Sequence, residues 1–368
     1  MKRLDRVRRL ALAAALGMVL AACGGGAETT TTQGGGGEAT TTADGGEETT
    51  TTAGESTTTG EPAGETTAIT VLLPVDSPNM YGFRVAEANG YYAEEGLEVS
   101  HQFLDGSGDV MQQLLADNGQ IGSVGTANVA EALEQGHEIR AIGNTNYGSV
   151  FQLTVPADSD IQTPADLAGR RVGISELSGG EVPVVRGIIA NAGLDPQTDV
   201  ELVPIGEGTA LAVRALEEGQ VDAVGGSVND IVAIEVQGLD LRALDPGDLS
   251  GVPALPLVAT QQFIEANPEV VEGFLRAVAR GAEFGHTNPE ETLDILREVT
   301  PEWFTDETGE LLFELVLDLW QPPEGMLFHE QTAESWQYFF DIIAVELPEG
   351  TDLNEIIVDD FVEAANDF

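Results

Sequence analysis

The sequence predicts a two-lobed α/β protein, each lobe a mostly parallel sheet flanked by helices, with two crossings joining the lobes. Three observations predict it. Short β-branched runs alternate with stretches of helical periodicity, the pattern of parallel strands covered on both faces. One unit is used twice: Gly119-Gln-Ile-Gly-Ser-Val-Gly125 leads into a helix ending at Gln135-Gly136, and Gly219-Gln-Val-Asp-Ala-Val-Gly225 into one ending at Gln237-Gly238. Each copy stands third in its own β-α series, so a duplicated lobe accounts for the pair better than chance likeness in a Gly/Ala/Val-rich chain. Beyond Gln261 the pattern turns almost wholly helical.

In order, Ile69-Thr-Val-Leu-Leu-Pro-Val75 reads as a strand bounded by Pro and Asp. Asn79 to Tyr92 has helical spacing, with a stop signal at Gly90. Glu98 to Leu104 is the second strand, followed by Gly106-Ser107-Gly108 and a helix through Asp117. Gln120 to Val124 is the third, with a helix from Thr126 to Glu134. Phe151-Gln-Leu-Thr-Val155 reads as the crossing to the second lobe. There, strands at Arg171–Ile174, Val200–Pro204 and Val221–Val224 alternate with helices ending near Asn191, Glu218 and Gln237. Pro256-Leu-Val-Ala-Thr260 reads as the crossing back. The helices after it, broken at Pro268, Pro289, Pro301 and Pro322-Pro323, are expected to pack on the first lobe. The domain reading is residues 68–157 plus 256–368 for the first lobe and 158–255 for the second.

The N-terminus carries a different signal. Lys2, Arg3, Arg6, Arg8 and Arg9 precede an apolar and small-residue run from Leu10 to Ala22. That run is too short to cross ~30 Å of hydrocarbon at 1.5 Å per residue. Residues 1–22 therefore read as a secretory signal peptide. Leu20-Ala21-Ala22-Cys23 resembles the bacterial lipobox, which implies that Cys23 is lipidated and anchors the mature chain to the outer face of the membrane. A small residue that merely ends the apolar run is the plainer reading of Cys23. It is the only cysteine, so no internal disulfide and no cysteine nucleophile are expected in the body. Residues 23–67 hold that cysteine and then mainly Gly, Thr and Glu with little to bury, the composition of a tether that stays disordered.

Charge narrows the partners. The chain holds 15 basic and 63 acidic residues, a net charge of −48, and its single lysine is Lys2. Such a surface repels nucleic acid. It suits a salty environment, where self-repulsion is screened, or reflects a genome that favours Arg over Lys.

Several segments then resemble one family. Phe83-Arg-Val-Ala-Glu-Ala-Asn-Gly-Tyr-Tyr-Ala-Glu-Glu-Gly-Leu-Glu-Val99 is similar to the opening of periplasmic solute-binding proteins for nitrate, sulfonates, taurine and thiamine precursors. Asp166-Leu-Ala-Gly-Arg-Arg-Val-Gly173, Ala192-Gly-Leu-Asp-Pro196, Ala215-Leu-Glu-Glu-Gly-Gln-Val-Asp-Ala223 and Asn267-Pro-Glu-Val-Val-Glu-Gly-Phe-Leu275 resemble its later segments, in order. The resemblance implies the type II periplasmic-binding-protein fold, a monomer that closes on a small molecule and delivers it to an ABC permease with its ATPase. No cofactor or metal is implied.

In open α/β sheets, ligands settle at the carboxyl ends of strands, where helix N-termini present unpaired N–H groups. Six strand-to-helix loops supply the candidates. The first-lobe loops offer Asp76, Ser77, Asn79 and Tyr81, then Gly106 and Ser107, then Thr126 and Asn128. The second-lobe loops offer Ser175, Ser178, Gly179, Gly180 and Glu181, then Gly208 and Thr209, then Ser227, Asn229 and Asp230. Singly, each Ser, Thr or Asn also reads as a helix N-cap. Asn146 and Tyr147 form a second tier, a tyrosine being able to stack on a planar ligand or to pack at a lobe edge.

Helix N-termini favour anions, but no lysine is at hand, carboxylates lie in or beside these loops, and Arg84 and Arg186 fall within helices. The balance points to a neutral or cationic heteroaromatic solute such as a thiamine-precursor pyrimidine, with nitrate, sulfonate or taurine as the other family ligands. Two rival functions remain: a tethered sensor or adhesion module without transport, and an enzyme like the thiamine-pyrimidine synthases on this fold. Against the enzyme, His101, His137, His286 and His329 are scattered without metal-ligand spacing.

Overall fold

Strands buried on both faces need unbroken apolar runs, and the first of them, Ile69 to Leu73, is buried at nearly every position. The computed structural model describes residues 66–177, 180–206, 209–246, 252–306, 308–343 and 345–368. The expected signal segment, Cys23 and nearly all of the tether lie outside those residues.

The first half runs β1 (Thr67–Leu73), α1 (Tyr81–Ala88), α2 (Tyr91–Glu94), β2 (Leu97–Phe103), α3 (Ser107–Leu115), β3 (Ile121–Ser123), α4 (Thr126–Glu134) and β4 (Ile139–Asn144). The second runs β5 (Phe151–Pro156), β6 (Arg171–Ile174), α5 (Glu181–Asn191), β7 (Glu201–Pro204), α6 (Thr209–Glu217), β8 (Ala223–Ser227), α7 (Val228–Val236) and β9 (Leu241–Ala243). The chain ends with β10 (Pro256–Thr260), α8 (Gln261–Ala266), α9 (Pro268–Thr287), α10 (Pro289–Val299), α11 (Gly309–Trp320), α12 (Ala333–Ile343), α13 (Leu353–Ile356) and α14 (Val362–Ala365). Pro268 and Pro289 open their helices, where the missing N–H costs no hydrogen bond. The single helix expected from Asn79 to Tyr92 is three pieces: a turn at Pro78–Met80, α1, and α2 beyond Gly90, whose φ of 74° ends α1.

Two five-stranded sheets form, ordered β2-β1-β3-β10-β4 and β7-β6-β8-β5-β9. The orders are identical once each half is renumbered, which matches the duplication read from the repeated unit. In each sheet the strand between the third and fourth is antiparallel to its neighbours and comes from the other side of a crossing. Phe151–Val155 and Pro256–Thr260, expected as crossings, are therefore sheet strands. Their apolar alternation reflects burial in a sheet, and among the described residues 145–150, 244–246 and 252–255 precede them as linkers. Phe151–Pro156, which the domain reading gives to the first lobe, pairs with β8 and β9 in the second sheet.

The fourth strands, β4 and β9, were not expected. A signal for both lies in the sequence, since the repeat continues as Gln135-Gly-His-Glu-Ile-Arg-Ala141 and Gln237-Gly-Leu-Asp-Leu-Arg-Ala243.

The C-terminal helices mostly cover the first sheet, with α9 on α1 and α14 on α9. α12 departs from expectation by packing on α5 of the second half. One apolar cluster accordingly joins Leu72, Val110 and Val258 of the first half to Val172, Val185 and Ile188 of the second through Trp336 and Phe340 of α12. Among the described residues, no helix is long and apolar enough to cross a membrane.

His329 lies between β4 and α9, 1% exposed, with Nδ1 3.1 Å from the Asn144 carbonyl and Nε2 2.9 Å from the Leu275 carbonyl. Burial lowers its pKa to about 4, the two carbonyls opposing but not reversing the shift. The unfolded ring titrates near 6.5 and binds the proton that the folded ring refuses, so stability falls as pH drops from 6.5 toward 4. From this residue we expect a loss of about 2 kcal/mol between pH 7.5 and 5. Denaturant unfolding at the two pH values should show a smaller loss for His329→Gln, and equal losses would contradict this assignment.

Candidate functional site

The carboxyl ends of the parallel strands in both sheets face one cleft of about 1130 Å³. All six expected strand-to-helix loops contribute to its wall. From the first half come Ser77, Asn79, Gly106, Ser107, Thr126 and Asn128; from the second come Gly180, Thr209, Ser227, Asn229 and Asp230.

Several of the hydroxyls are already engaged within the protein. Ser107 Oγ accepts the Gly125 N–H at 2.9 Å, tying the second loop to the third. The Thr126 hydroxyl donates to the Pro253 carbonyl on the return linker. Ser227 caps α7, its Oγ 2.6 Å from an Asp230 carboxylate oxygen and accepting the Asp230 N–H at 3.3 Å. The N-cap reading thus holds for Ser227. Asn229 is different: its Oδ1 is buried without a hydrogen-bond partner, an acceptor awaiting a donor at the mouth of α7.

Several expected contacts stand behind the wall rather than on it. Tyr81 is 1% exposed, packed on Phe313 and Trp320, with its hydroxyl 3.4 Å from the Ala282 carbonyl. Tyr147 is also buried and donates to the Leu327 carbonyl at 3.1 Å, burial pushing its pKa up. Both tyrosines are core, because the C-terminal helices cover the faces that the first-half sequence leaves apolar. Asp76 turns outward and binds Arg84, both carboxylate oxygens 3.0 Å from its Nη2. Glu181 folds back onto Ser175, accepting its N–H at 2.8 Å and its hydroxyl at 2.6 Å, so the two satisfy each other away from the cleft. Asn146 exchanges two hydrogen bonds with Asn79, at 2.6 and 3.1 Å, and so fixes a lining amide from behind. Ser178, Gly179 and Gly208 lie outside the described residues.

The residues that sequence reading missed are mainly apolar, with Asp105 and Ser149 beside them. Phe151, Trp303 and Phe339 line the cleft with Met80, Leu104 and Ile343. Phe151 sits on the bare face of Gly180, where a β-carbon would lie 2.9 Å from the ring. Trp303 and Phe339 arrive from the C-terminal helical region, and no local pattern in Pro301-Glu-Trp-Phe304 or in α12 marks them as cleft residues.

Charge on the wall is one-sided. Asp105 and Asp230 line it, and among the described residues no arginine, lysine or histidine does. The arginines serve elsewhere: Arg84 stacks on Phe103 and pairs with Asp76, Arg170 and Arg171 hold Asp222, and Arg276 holds Glu95 and Glu272. An inorganic anion would meet helix N-termini but no cation. A planar, uncharged or cationic ring would meet aromatic faces, amide and hydroxyl groups, and two carboxylates.

The family profile described as NMT1/THI5 like matches residues 77–292. A formylaminopyrimidine-binding protein of Halalkalibacterium halodurans is 28% identical over 261 residues, covering 69% of this chain and 77% of that protein. The riboflavin-binding protein RibY of Chloroflexus aurantiacus is 26% identical over 223 residues, 60% of this chain and 62% of its own length. Among solved structures, the periplasmic aliphatic sulphonate binding protein SsuA from Escherichia coli superimposes with a TM-score of 0.63 at 19% identity, covering 79% of this chain and 92% of that one. The fold is that of the periplasmic binding proteins.

Proposed function

The chain belongs to the NMT1/THI5-like family, and from that premise we propose that it captures a small heteroaromatic solute outside the membrane for delivery to an ABC importer. The observation that carries the ligand class is the wall of the cleft, with three aromatic side chains, two carboxylates and no basic group among the described residues. A thiamine-precursor pyrimidine suits it: the ring stacks on an aromatic face, and an exocyclic amine donates to Asn229 Oδ1 or to a carboxylate. The relatives that bind formylaminopyrimidine and riboflavin support the same class. Taurine, sulfonates and nitrate lack a counter-charge here.

The proposed mechanism is capture by lobe closure. Ligand contacts from both halves favour the closed arrangement, which the permease then recognises. The protein acts by binding alone in this reading, since the sole cysteine is Cys23 and none of the four histidines lines the cleft. The N-terminal pattern supports export, a lipid on Cys23 and a tether between it and the folded body.

The test is a thermal-shift panel of formylaminopyrimidine, riboflavin, taurine and nitrate. A heteroaromatic at about a hundred times its dissociation constant should add about 2.7 kcal/mol of stability. Stabilisation by taurine or nitrate alone would overturn the ligand class while leaving the family intact.

A further inference from the structure

The C-terminal chain between α11 and α14 makes an excursion across the molecule. It leaves β4, where the Gln331 side chain donates to the Ala141 carbonyl at 3.2 Å. It returns to the same carbonyl, which accepts the Val358 N–H at 2.8 Å beside the Ala141–Ile357 bridge. Between these pins, α12 lies on α5 of the second half. Its start is fixed to the first pin, because Trp336 Nε1 donates to Gln331 Oε1 at 3.0 Å. The two halves are thus joined by two linkers, by a smaller packing of α11 on α7, and by this larger non-covalent bridge.

The approach of α12 to α5 hinges on one residue. A β-carbon at Gly187 would stand 2.3 Å from the Ile342 carbonyl oxygen and 2.4 Å from Ile342 Cγ2. The first contact is backbone, so no rotamer change relieves it. Gly187 sits one turn from Pro183 and Val184, which line the cleft from α5, and Ile342 lies between Phe339 and Ile343, which line it from α12. A single spacing between two helices therefore sets how far four lining side chains reach and how the second half sits against the first.

We propose that α12 is a clasp between the lobes and that Gly187 is its positioning residue, making lobe angle and the apolar wall of the cleft one mechanical unit. This goes beyond the capture reading, because it assigns the coupling to a bridge distinct from the two covalent linkers. Closing the lobes and seating Phe339 and Ile343 are then a single event.

Two ligand-free measurements decide it. In the full chain carrying Cys23→Ser, spin labels on Val75→Cys and Leu211→Cys report the distance between the halves, both sites being about half exposed (50% and 47%). Gly187→Ala is expected to displace the mean distance, and an unchanged distribution would overturn the clasp. Should Gly187→Ala fail to fold, hydrogen exchange on the unmodified chain decides instead: amides 184–188 and 339–343 should open as one cooperative unit, and independent opening would overturn the proposal. A third readout uses formylaminopyrimidine as the probe. Gly187→Ala without labels should bind it about tenfold more weakly or worse, and undiminished affinity would break the link between clasp and cleft. If the unsubstituted chain ignores both that probe and riboflavin, the ligand reading fails, while distance and exchange still judge the clasp.

Discussion

Trp303→Ala is expected to weaken binding of the heteroaromatic ligand about 30-fold, with Trp303→Phe recovering most of the loss. Trp303 is half-buried in the turn between α10 and α11, where its N–H donates to the Thr300 carbonyl at 3.1 Å and its carbonyl accepts the Thr308 hydroxyl at 2.9 Å. Those backbone contacts survive the substitution, so the turn keeps its shape and the indole alone is lost. An aromatic face against a planar ring contributes about 2 kcal/mol from area burial and stacking. That converts to about 30-fold in affinity. Titration calorimetry with formylaminopyrimidine or riboflavin gives the number. Phe339→Ala is the less informative partner experiment. Phe339 is 6% exposed within the cluster that joins the halves, so its removal also costs core packing. An unaltered affinity in Trp303→Ala would place the ring elsewhere in the cleft and weaken the case for a stacked ligand.

What the sequence could and could not reveal follows from how far each signal reaches along the chain. Strand-helix alternation and the repeated Gly-Gln unit are local, and they disclosed the parallel series in both halves and all six cleft loops. The identities of the antiparallel strands are not local. Phe151–Pro156 alternates like any strand, and only its pairing with β8 and β9 tells that it belongs to the second sheet. β4 and β9 are short and carry an arginine each, too weak a pattern for strand periodicity. Extending the internal repeat by five residues, through Ala141 and Ala243, would have found both. The aromatic wall was least legible, because Trp303 and Phe339 reach the cleft only after the chain has returned to the first sheet through β10. Conversely, Tyr81 and Tyr147 beside cleft loops looked like stacking groups until the C-terminal helices buried them. The acidic bias of the described wall was legible from composition, a body with no lysine and few arginines.

The second large effect concerns the support of the cleft floor. Trp320 is 1% exposed, tilted on Tyr81 at 5.1 Å and edge-on to Phe83 at 5.5 Å. Its ring fills the space over Gly82, where a β-carbon would lie 2.4 Å from Cζ3. Its Nε1 donates to the Asn79 carbonyl at 2.9 Å. Trp320→Ala should therefore destabilise the protein by about 4 kcal/mol through the cavity it leaves, with about 1–3 kcal/mol more from the unpaired carbonyl. Set against a typical total of about 5–15 kcal/mol, that is enough to leave much of the protein unfolded at moderate temperature. Trp320→Phe separates the two contributions. Most of the volume stays, the Asn79 carbonyl loses its donor, and the cost falls to about 2 kcal/mol. Asn79 lines the cleft and is held by two arms, this indole and the side chain of Asn146. Loosening one arm should therefore lower ligand affinity in a protein that still folds. Urea melts and ligand titrations on the same Trp320→Phe preparation measure both effects. A stability loss with full affinity would mean that Asn146 alone positions Asn79, and the floor of the cleft would then be set by the linker between the halves rather than by α11.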